Sequence, residues 1–297
     1  MATVLADEGL QADAFKKLYP NAYFQRWVEE GVRPDGRTLG RGRPLTIGVG
    51  AVASCRGSAM VKLGHTTVLA GIQVSLGRPS DELPDQGSLV VNVEYAPFAT
   101  ADYRPGKPSE QACAVSERLQ ALLRPMGLEQ QLCIKSGKAA FTAEANIYVL
   151  NADGCVLDAV LLATTTALRD LKLPAVKDTK EGGVRMDDSA AARKQPARHL
   201  TLPCQPLAIS MALYKDKLLV DPTVEEESIA SSSVTVVLDE RSRLHGMYKT
   251  GGSVLATPMV LTQCIEAAKL RYREMSALVQ QQLEEAAAEE AGEDMES

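Results

Sequence analysis

The sequence is poor in aromatic rings: of 297 residues, one is tryptophan, four are phenylalanine and eight are tyrosine. Unpaired bases are gripped by exposed rings, so this chain is not expected to bind single-stranded nucleic acid strongly by itself. It lacks any apolar run near the roughly 18 residues that a membrane span requires, so no membrane contact is expected. The opening stretch MATVLADEGLQADAF has no basic start followed by an apolar core, which argues against a secretory signal. No G-x-S-x-G nucleophile elbow occurs. No G-x-G-x-x-G lies between a strand and a helix, so a dinucleotide site is unsupported. GKPS (Gly106–Ser109) resembles the end of a phosphate-binding P-loop, but that motif's first glycine falls on Ala101.

Metal ligands are equally sparse. His65, His199 and His245 stand alone, with no H-E-x-x-H to set two at helical spacing. The cysteines at 55, 113, 133, 155, 204 and 264 form no C-x-x-C pair, and most lie in apolar stretches. They read as buried free thiols of a reducing compartment, not as a disulfide frame or zinc site. No metal and no cofactor is expected.

What is present is an ordinary globular composition, 45% hydrophobic and 24% charged, with enough length for a large core. The formal charge of −6 is concentrated at one end. The stretch EEAAAEEAGEDMES (Glu284–Ser297) holds seven acidic and no basic residues; without it 31 acids face 32 bases. The body is thus near neutral, with a tail that reads as a solvated, frayed end.

Periodicity and turn residues order the rest. After a polar, loosely held segment (1–20), NAYFQRWVEEG reads as a short helix that Asn21 can cap. RPDGR (Arg33–Arg37) is a tight turn. LTIGVGAV, SAMVKLG, TTVLAGIQV and SLVVNVEYAPF are strand-like, the first three forming a meander in an antiparallel or mixed sheet. A helix is expected over Ser109–Leu123, two strands around Ser136–Gly137, and an apolar helix from about Asp158 to Leu171. From 174 to 198 the composition turns polar and charged, which predicts a mobile excursion. Then follow LAISMALY, KLLV, SVTVVLD and LHGMYK as strands, and a terminal helix from about Thr257 to Leu283. Each half reads as strands followed by a helix. The expectation is an α+β fold of two lobes, 21–198 and 199–283, with an acidic tail at 284–297.

Three stretches invite a chemical reading. The Asp153–Gly154 turn before the apolar helix can present free backbone N–H groups to an anion, but the residues that follow are Cys155, Val156 and Leu157. VDPTVEEES (Val220–Ser228) packs four carboxylates, which could hold Mg²⁺ but reads more simply as a charged turn. ADYRPGKPSE is a basic loop in which Arg104 and Lys107 flank Pro105–Gly106, with Arg118 one helix beyond; guanidinium forks suit phosphates.

The ordered set RPDGR, GSAMVKLGHTTVLAGIQV, a Pro/Gly loop before a helix, DG before an apolar helix, LLVDPTVEEES, and GGS before a terminal helix resembles the RNase PH family, from about Phe24 to the terminal helix. The resemblance implies an RNase PH-like two-lobed fold, with a ribosomal protein S5 domain 2-like N-terminal part and a smaller C-terminal α/β part. The family's enzymes degrade RNA from the 3′ end with phosphate as the attacking group. In its active members the turn reads Asp-Gly-Gly-Thr-Arg. Here Cys155 replaces the second glycine, Val156 the threonine and Leu157 the arginine, and an apolar pair cannot donate charge-assisted bonds to phosphate. The family's catalytic aspartate pair falls on Ser231 and Ser233, whose hydroxyls cannot replace carboxylates.

The resemblance is greatest to ring subunits of the eukaryotic RNA exosome and implies a non-catalytic structural role in 3′-to-5′ RNA processing and degradation, rRNA maturation included. The implied partners are other RNase PH-like ring subunits, cap subunits, RNA in a central channel and an associated hydrolytic exoribonuclease. The implied location is nucleus, nucleolus and cytoplasm. Arg104 first, then Lys107 and Arg118, are the expected RNA contacts. Two rival readings are an active phosphate-dependent 3′-to-5′ exoribonuclease and a free RNA-binding or scaffold protein outside any ring.

Overall fold

The structure, a computed structural model, describes residues 14–100, 109–178, 184–186, 198–251 and 257–296, with side chains as far as Glu285. Its N-terminal sheet has six strands: β1 (Leu45–Val49), β2 (Gly57–Leu63), β3 (Thr66–Gly77), β4 (Ser88–Tyr95), β5 (Cys133–Lys135) and β6 (Ala139–Asn151). The order is β1-β2-β3-β6-β4, with β5 also on β6. All pairings are antiparallel except β4 with β6, so the sheet is mixed. Its strands alternate between buried and exposed residues, as strands with one wet face must. The C-terminal sheet is antiparallel, in the order β12-β11-β13-β14. Its strands are β11 (Leu207–Tyr214), β12 (Lys217–Val220), β13 (Ser232–Leu238) and β14 (Leu244–Thr250). Between the two sheets in chain order come β7 (Lys172–Leu173), β8 (Val176–Asp178), β9 (Val184–Met186) and β10 (Arg198–His199).

Among the described residues, five helices of six or more residues close the layers: α1 (Pro20–Glu29), α2 (Glu110–Leu123), α3 (Val156–Asp170), α4 (Val224–Ile229) and α5 (Pro258–Glu296). Helix α3 is mostly apolar and buried all round, with every residue from Leu157 to Leu168 inside. A helix of that kind belongs inside a protein. It packs on β2 and β3 of one sheet and on β11 of the other. Two of its interior threonines dispose of their hydroxyls within the helix: Thr164 donates to the Val160 carbonyl and Thr165 to that of Leu161. Every residue of β11 is buried, as in a strand covered on both faces.

Chain order and lobe membership do not coincide. Val28 of α1, near the start of the chain, packs with Ala212, Tyr214 and Leu219 of the C-terminal sheet. Helix α5, at the end, packs on β1 of the N-terminal sheet as well as on β11 and β13. Its buried seam, Cys264, Ala268, Tyr272, Met275 and Val279, follows helical spacing. Beyond it, the Gln282 amide grips the free edge of β1, accepting from Ile47 N at 2.7 Å and donating to Leu45 O at 3.1 Å.

Several local expectations change. Helix α1 starts at Pro20 with Tyr19 in the cap position, not at an Asn21 cap, because proline's fixed φ suits the first helical turn. Helix α3 starts at Val156, before Asp158. Within the 174–198 stretch β8 and β9 form an antiparallel pair; residues 179–183 and 187–197 lie outside the described ones. The acidic tail continues α5 to Glu296, consistent with its Ala and Glu content and lack of proline. Of the N-terminal segment, residues 14–18 are helical and 1–13 lie outside the described ones.

Candidate functional site

The N-terminus of α3 meets the turn between β12 and α4. Gly154 adopts φ +75°, and a Cβ there would stand 2.5 Å from the Pro222 carbonyl oxygen and 2.8 Å from the Thr223 carbonyl carbon. Only glycine fits that contact. Thr66 of β3 fastens the turn from the other side: its hydroxyl donates to Gly154 O at 2.8 Å and accepts from Asp153 N at 3.1 Å. Cys155 follows at φ +50°, uncommon for a residue with a side chain.

The acidic turn is organised by its own sequence. Thr223 caps α4 through the Glu226 N–H, and the Glu226 carboxylate accepts from Thr223 N in return. The same carboxylate faces Arg33, fully buried, whose Nη1 lies 3.3 Å from Glu226 Oε2 and also donates to the Asp221 carbonyl, while its Nη2 donates to those of Leu39 and Val220. Arg43 binds Asp221 with three donors, its backbone N at 2.6 Å, Nε at 3.0 Å and Nη2 at 2.7 Å. Its Nη1 donates to the carbonyl of Asp153 and lies 3.4 Å from that residue's carboxylate. Arg37 donates to Asp35 at 2.5 Å and to the Asp221 carbonyl at 3.1 Å.

Burial opposes all these charges, and the pairing decides the outcome. Desolvation is the largest influence on Asp221, yet the Arg43 hydrogen bonds and charge outweigh it and hold its carboxyl below the usual range. Arg43 is likewise desolvated but is raised by Asp221. For Arg33 burial wins and its value is lowered despite Glu226. RPDGR and VDPTVEEES, far apart in the chain, are two halves of one buried ion-pair network. The charged-turn reading of the acidic cluster therefore acquires a cause, and its Arg33- and Arg43-bound carboxylates are satisfied within the chain.

Glu227 completes the arrangement. Its Oε1 accepts the Cys155 N–H at 2.9 Å, so a carboxylate of this chain sits at the N-terminus of α3. Burial raises its carboxyl, against the pull of that N–H and of Arg43. Cys155 donates its thiol to the Pro222 carbonyl at 3.2 Å. Burial first, then Asp221 and Asp158, push the thiol well up, the setting of a structural cysteine. Leu157 is buried in the core and Val156 packs against it.

One turn further, Asp158 is buried in α3. Its carboxylate accepts the Ser210 N–H and hydroxyl of β11, each at 2.7 Å, and Ser210 Oγ lies 2.8 Å from Thr235 Oγ1 of β13. Burial outweighs those bonds and pushes the acid up to about 7. Ser233 lies two residues before Thr235 and shares its face of β13. Ser231 donates its N–H to Leu213 O, and the buried Ser232 hydroxyl has no partner. Of the expected RNA contacts, Arg104 and Lys107 lie outside the described residues. Arg118 is on α2, its guanidinium carbon 5.4 Å from the Tyr248 ring centre of β14.

Sequence reasoning passes over Arg33, Arg37, Arg43, Asp158 and Glu227 as individuals. The signal available is an excess of arginine in RPDGRTLGRGRP ahead of the first strand, a feature that periodicity does not explain. Among the described residues no helix is long and apolar enough to cross a membrane.

Residues 41–174 match domain 1, and residues 204–271 domain 2, of the 3′ exoribonuclease family. The chain is 32% identical over 264 residues to the exosome complex component rrp43 of Schizosaccharomyces pombe, covering 87% of this chain and 94% of that protein. It is 35% identical over 225 residues to the exosome complex component Rrp42 of Saccharolobus islandicus, covering 75% of this chain and 80% of that one. A chain of the Archaeoglobus fulgidus exosome, solved with RNA bound to the active site, superimposes with a TM-score of 0.73 at 26% identity. That match covers 89% of this chain and 99% of the other.

Proposed function

Because the chain belongs to the RNase PH family of 3′ exoribonucleases, we propose that it is a non-catalytic ring subunit of an RNA exosome, shaping the RNA path while other subunits cut. The observation that carries this reading is Glu227 at the N-terminus of α3. That helix start is where the resemblance puts the phosphate of active members. Here a carboxylate already accepts the Cys155 N–H, and a phosphate beside it would meet like charge. Val156 and Leu157 offer only apolar side chains in place of threonine and arginine. Arg33 and Arg43, the buried guanidinium groups nearby, are bonded to carboxylates and carbonyls of the chain. Ser231 and Ser233 stand where the family's carboxylates are expected, and neither supplies a charge for metal or proton transfer.

In this reading the partners are neighbouring RNase PH-like subunits, cap subunits and a hydrolytic exoribonuclease, in nucleus, nucleolus and cytoplasm. Arg104 first, then Lys107 and Arg118, hold RNA phosphates without reading bases. The test is native mass spectrometry of the tagged protein from its own cells, joined to a phosphate-dependent decay assay on the isolated chain. A multi-subunit assembly and an inert isolated chain are expected. Phosphate-dependent release of nucleoside diphosphates by the isolated chain overturns the reading.

A further inference from the structure

Three ligand-type side chains converge at the end of the C-terminal sheet away from Ser231 and Ser233. Cys204 precedes β11 by three residues, Asp239 directly follows β13, and His245 is the second residue of β14. Leu207 pairs with Leu238, and Leu238 with Leu244, so the register gathers the three at one edge. His245 Nε2 lies 3.1 Å from Asp239 Oδ2 and 4.0 Å from Cys204 Sγ. All three ligand atoms fall within 4.8 Å of one another.

The carboxylate is held in advance. Asp239 is buried, and its Oδ1 accepts the backbone N–H groups of Arg241 at 2.9 Å and Arg243 at 2.8 Å. Oδ2 is left facing the imidazole and the thiol. Bonds of this kind to the far oxygen are what aim a carboxylate at a metal. Glu240 adds negative charge nearby, its carboxylate tied to Gln205 N at 3.0 Å.

Tetrahedral zinc bonds sulfur at about 2.3 Å and nitrogen or oxygen at about 2.0–2.2 Å, which sets ligand atoms roughly 3.3–3.6 Å apart. The His245–Asp239 separation lies just below that range and the His245–Cys204 separation just above it, with all three within 4.8 Å, so the thiol must draw in towards the other two ligand atoms to close on an ion. One thiolate, one imidazole and one carboxylate suit zinc or cobalt, whereas calcium and magnesium favour oxygen alone.

We propose that Cys204, Asp239 and His245 form a binding site for a zinc-type divalent cation, with a water in the fourth position on the open side of His245. Binding replaces the His245 Nε2–H to Asp239 Oδ2 hydrogen bond by metal–nitrogen and metal–oxygen bonds, the imidazole keeping its one proton on Nδ1, and forms a metal–sulfur bond with release of the Cys204 thiol proton to solvent. The bound ion ties the segment entering β11 to the β13–β14 hairpin. The spacing rules for zinc motifs do not detect it, because 35 residues separate Cys204 from Asp239.

The test is titration of the full-length, chelator-treated protein with Co²⁺, followed by absorbance. One equivalent per chain is expected, with a near-ultraviolet thiolate-to-cobalt band and the visible bands of tetrahedral cobalt, both lost on adding Zn²⁺. Cys204→Ser removes the thiolate band and His245→Ala weakens binding by more than about tenfold. Cys113→Ser, at an exposed thiol elsewhere, changes neither. Circular dichroism confirms that each variant is folded. A folded wild-type chain without the thiolate band, or a band that survives Cys204→Ser, overturns the proposal.

Discussion

Gly154 shows how one position can be fixed twice, by conformation and by space. Its φ of +75° disfavours any side chain, and its missing Cβ lets the α4 turn approach. Gly36, at φ +82° with no atom within 4 Å of where a Cβ would stand, is fixed only once. Gly36→Ala is therefore expected to cost about 1 kcal/mol, from the left-handed backbone alone. Gly154→Ala should cost roughly 3 kcal/mol, because backbone atoms must also move. Urea denaturation of the two variants separates the contributions. Asp158 makes a prediction in pH. Its folded value, about 7, lies above the usual range because of burial. Ionising it disfavours the fold, so its contribution to stability falls as pH rises from about 4 to 7. The full span is roughly 4 kcal/mol. Asp221, held low, acts in the opposite sense: its contribution is present above its unfolded value and lost as pH falls through the folded one. Asp158→Asn imitates the protonated acid, so the variant should gain on the wild type between pH 5 and pH 8. Equal slopes in urea melts across that range would refute this.

At the scale of elements, patterns that depend on neighbouring residues are legible. LAISMALY, SVTVVLD and the apolar run of α3 declare strand, strand and helix through residue type and period, and the structure places them within two residues of expectation. What depends on distant residues is not legible. No local rule pairs Arg33 with Glu226 across 193 positions or Arg43 with Asp221 across 178. Residue type does not choose between an antiparallel and a mixed sheet either, because the parallel pairing of β4 with β6 is a matter of return path. Gln282 belongs to the same class. It sits among glutamines and glutamates on α5, yet it alone among the described residues of that helix pairs with the backbone of β1. It replaces the missing strand at an edge that would otherwise be open. Gln282→Ala should cost about 1–2 kcal/mol, whereas Gln281→Ala, which loses only a bond to Glu285, should be within roughly 0.5 kcal/mol of wild type. Thermal melts of the pair check it.

For the molecule as a whole, the interleaving of chain ends matters more than the division into lobes. Helix α1 opens the chain and covers the C-terminal sheet, α5 closes it and reaches β1, and α3 is shared by both sheets. Neither lobe keeps its apolar surface buried without segments from the other. Unfolding is accordingly expected as one transition, with circular dichroism and Trp27 fluorescence changing together. Two separated transitions would contradict it. The charge of the molecule has the same global character. The tail carries the whole formal excess of acid on the end of α5, and the remaining body is close to neutral. Such a body has no general positive field to draw nucleic acid towards it.

Glu227 at the head of α3 has a consequence in mass action. A fold whose helix start waits for an external anion gains stability as that anion is added, in proportion to the logarithm of its concentration. Here the counter-ion is covalently part of the chain, present at a fixed and very high effective concentration. The melting temperature should therefore be the same in phosphate and in a non-coordinating buffer of equal pH and ionic strength. A melting temperature that rises with phosphate concentration would refute this. The chain carries its own anion at the head of α3, where other helix starts recruit one from solution.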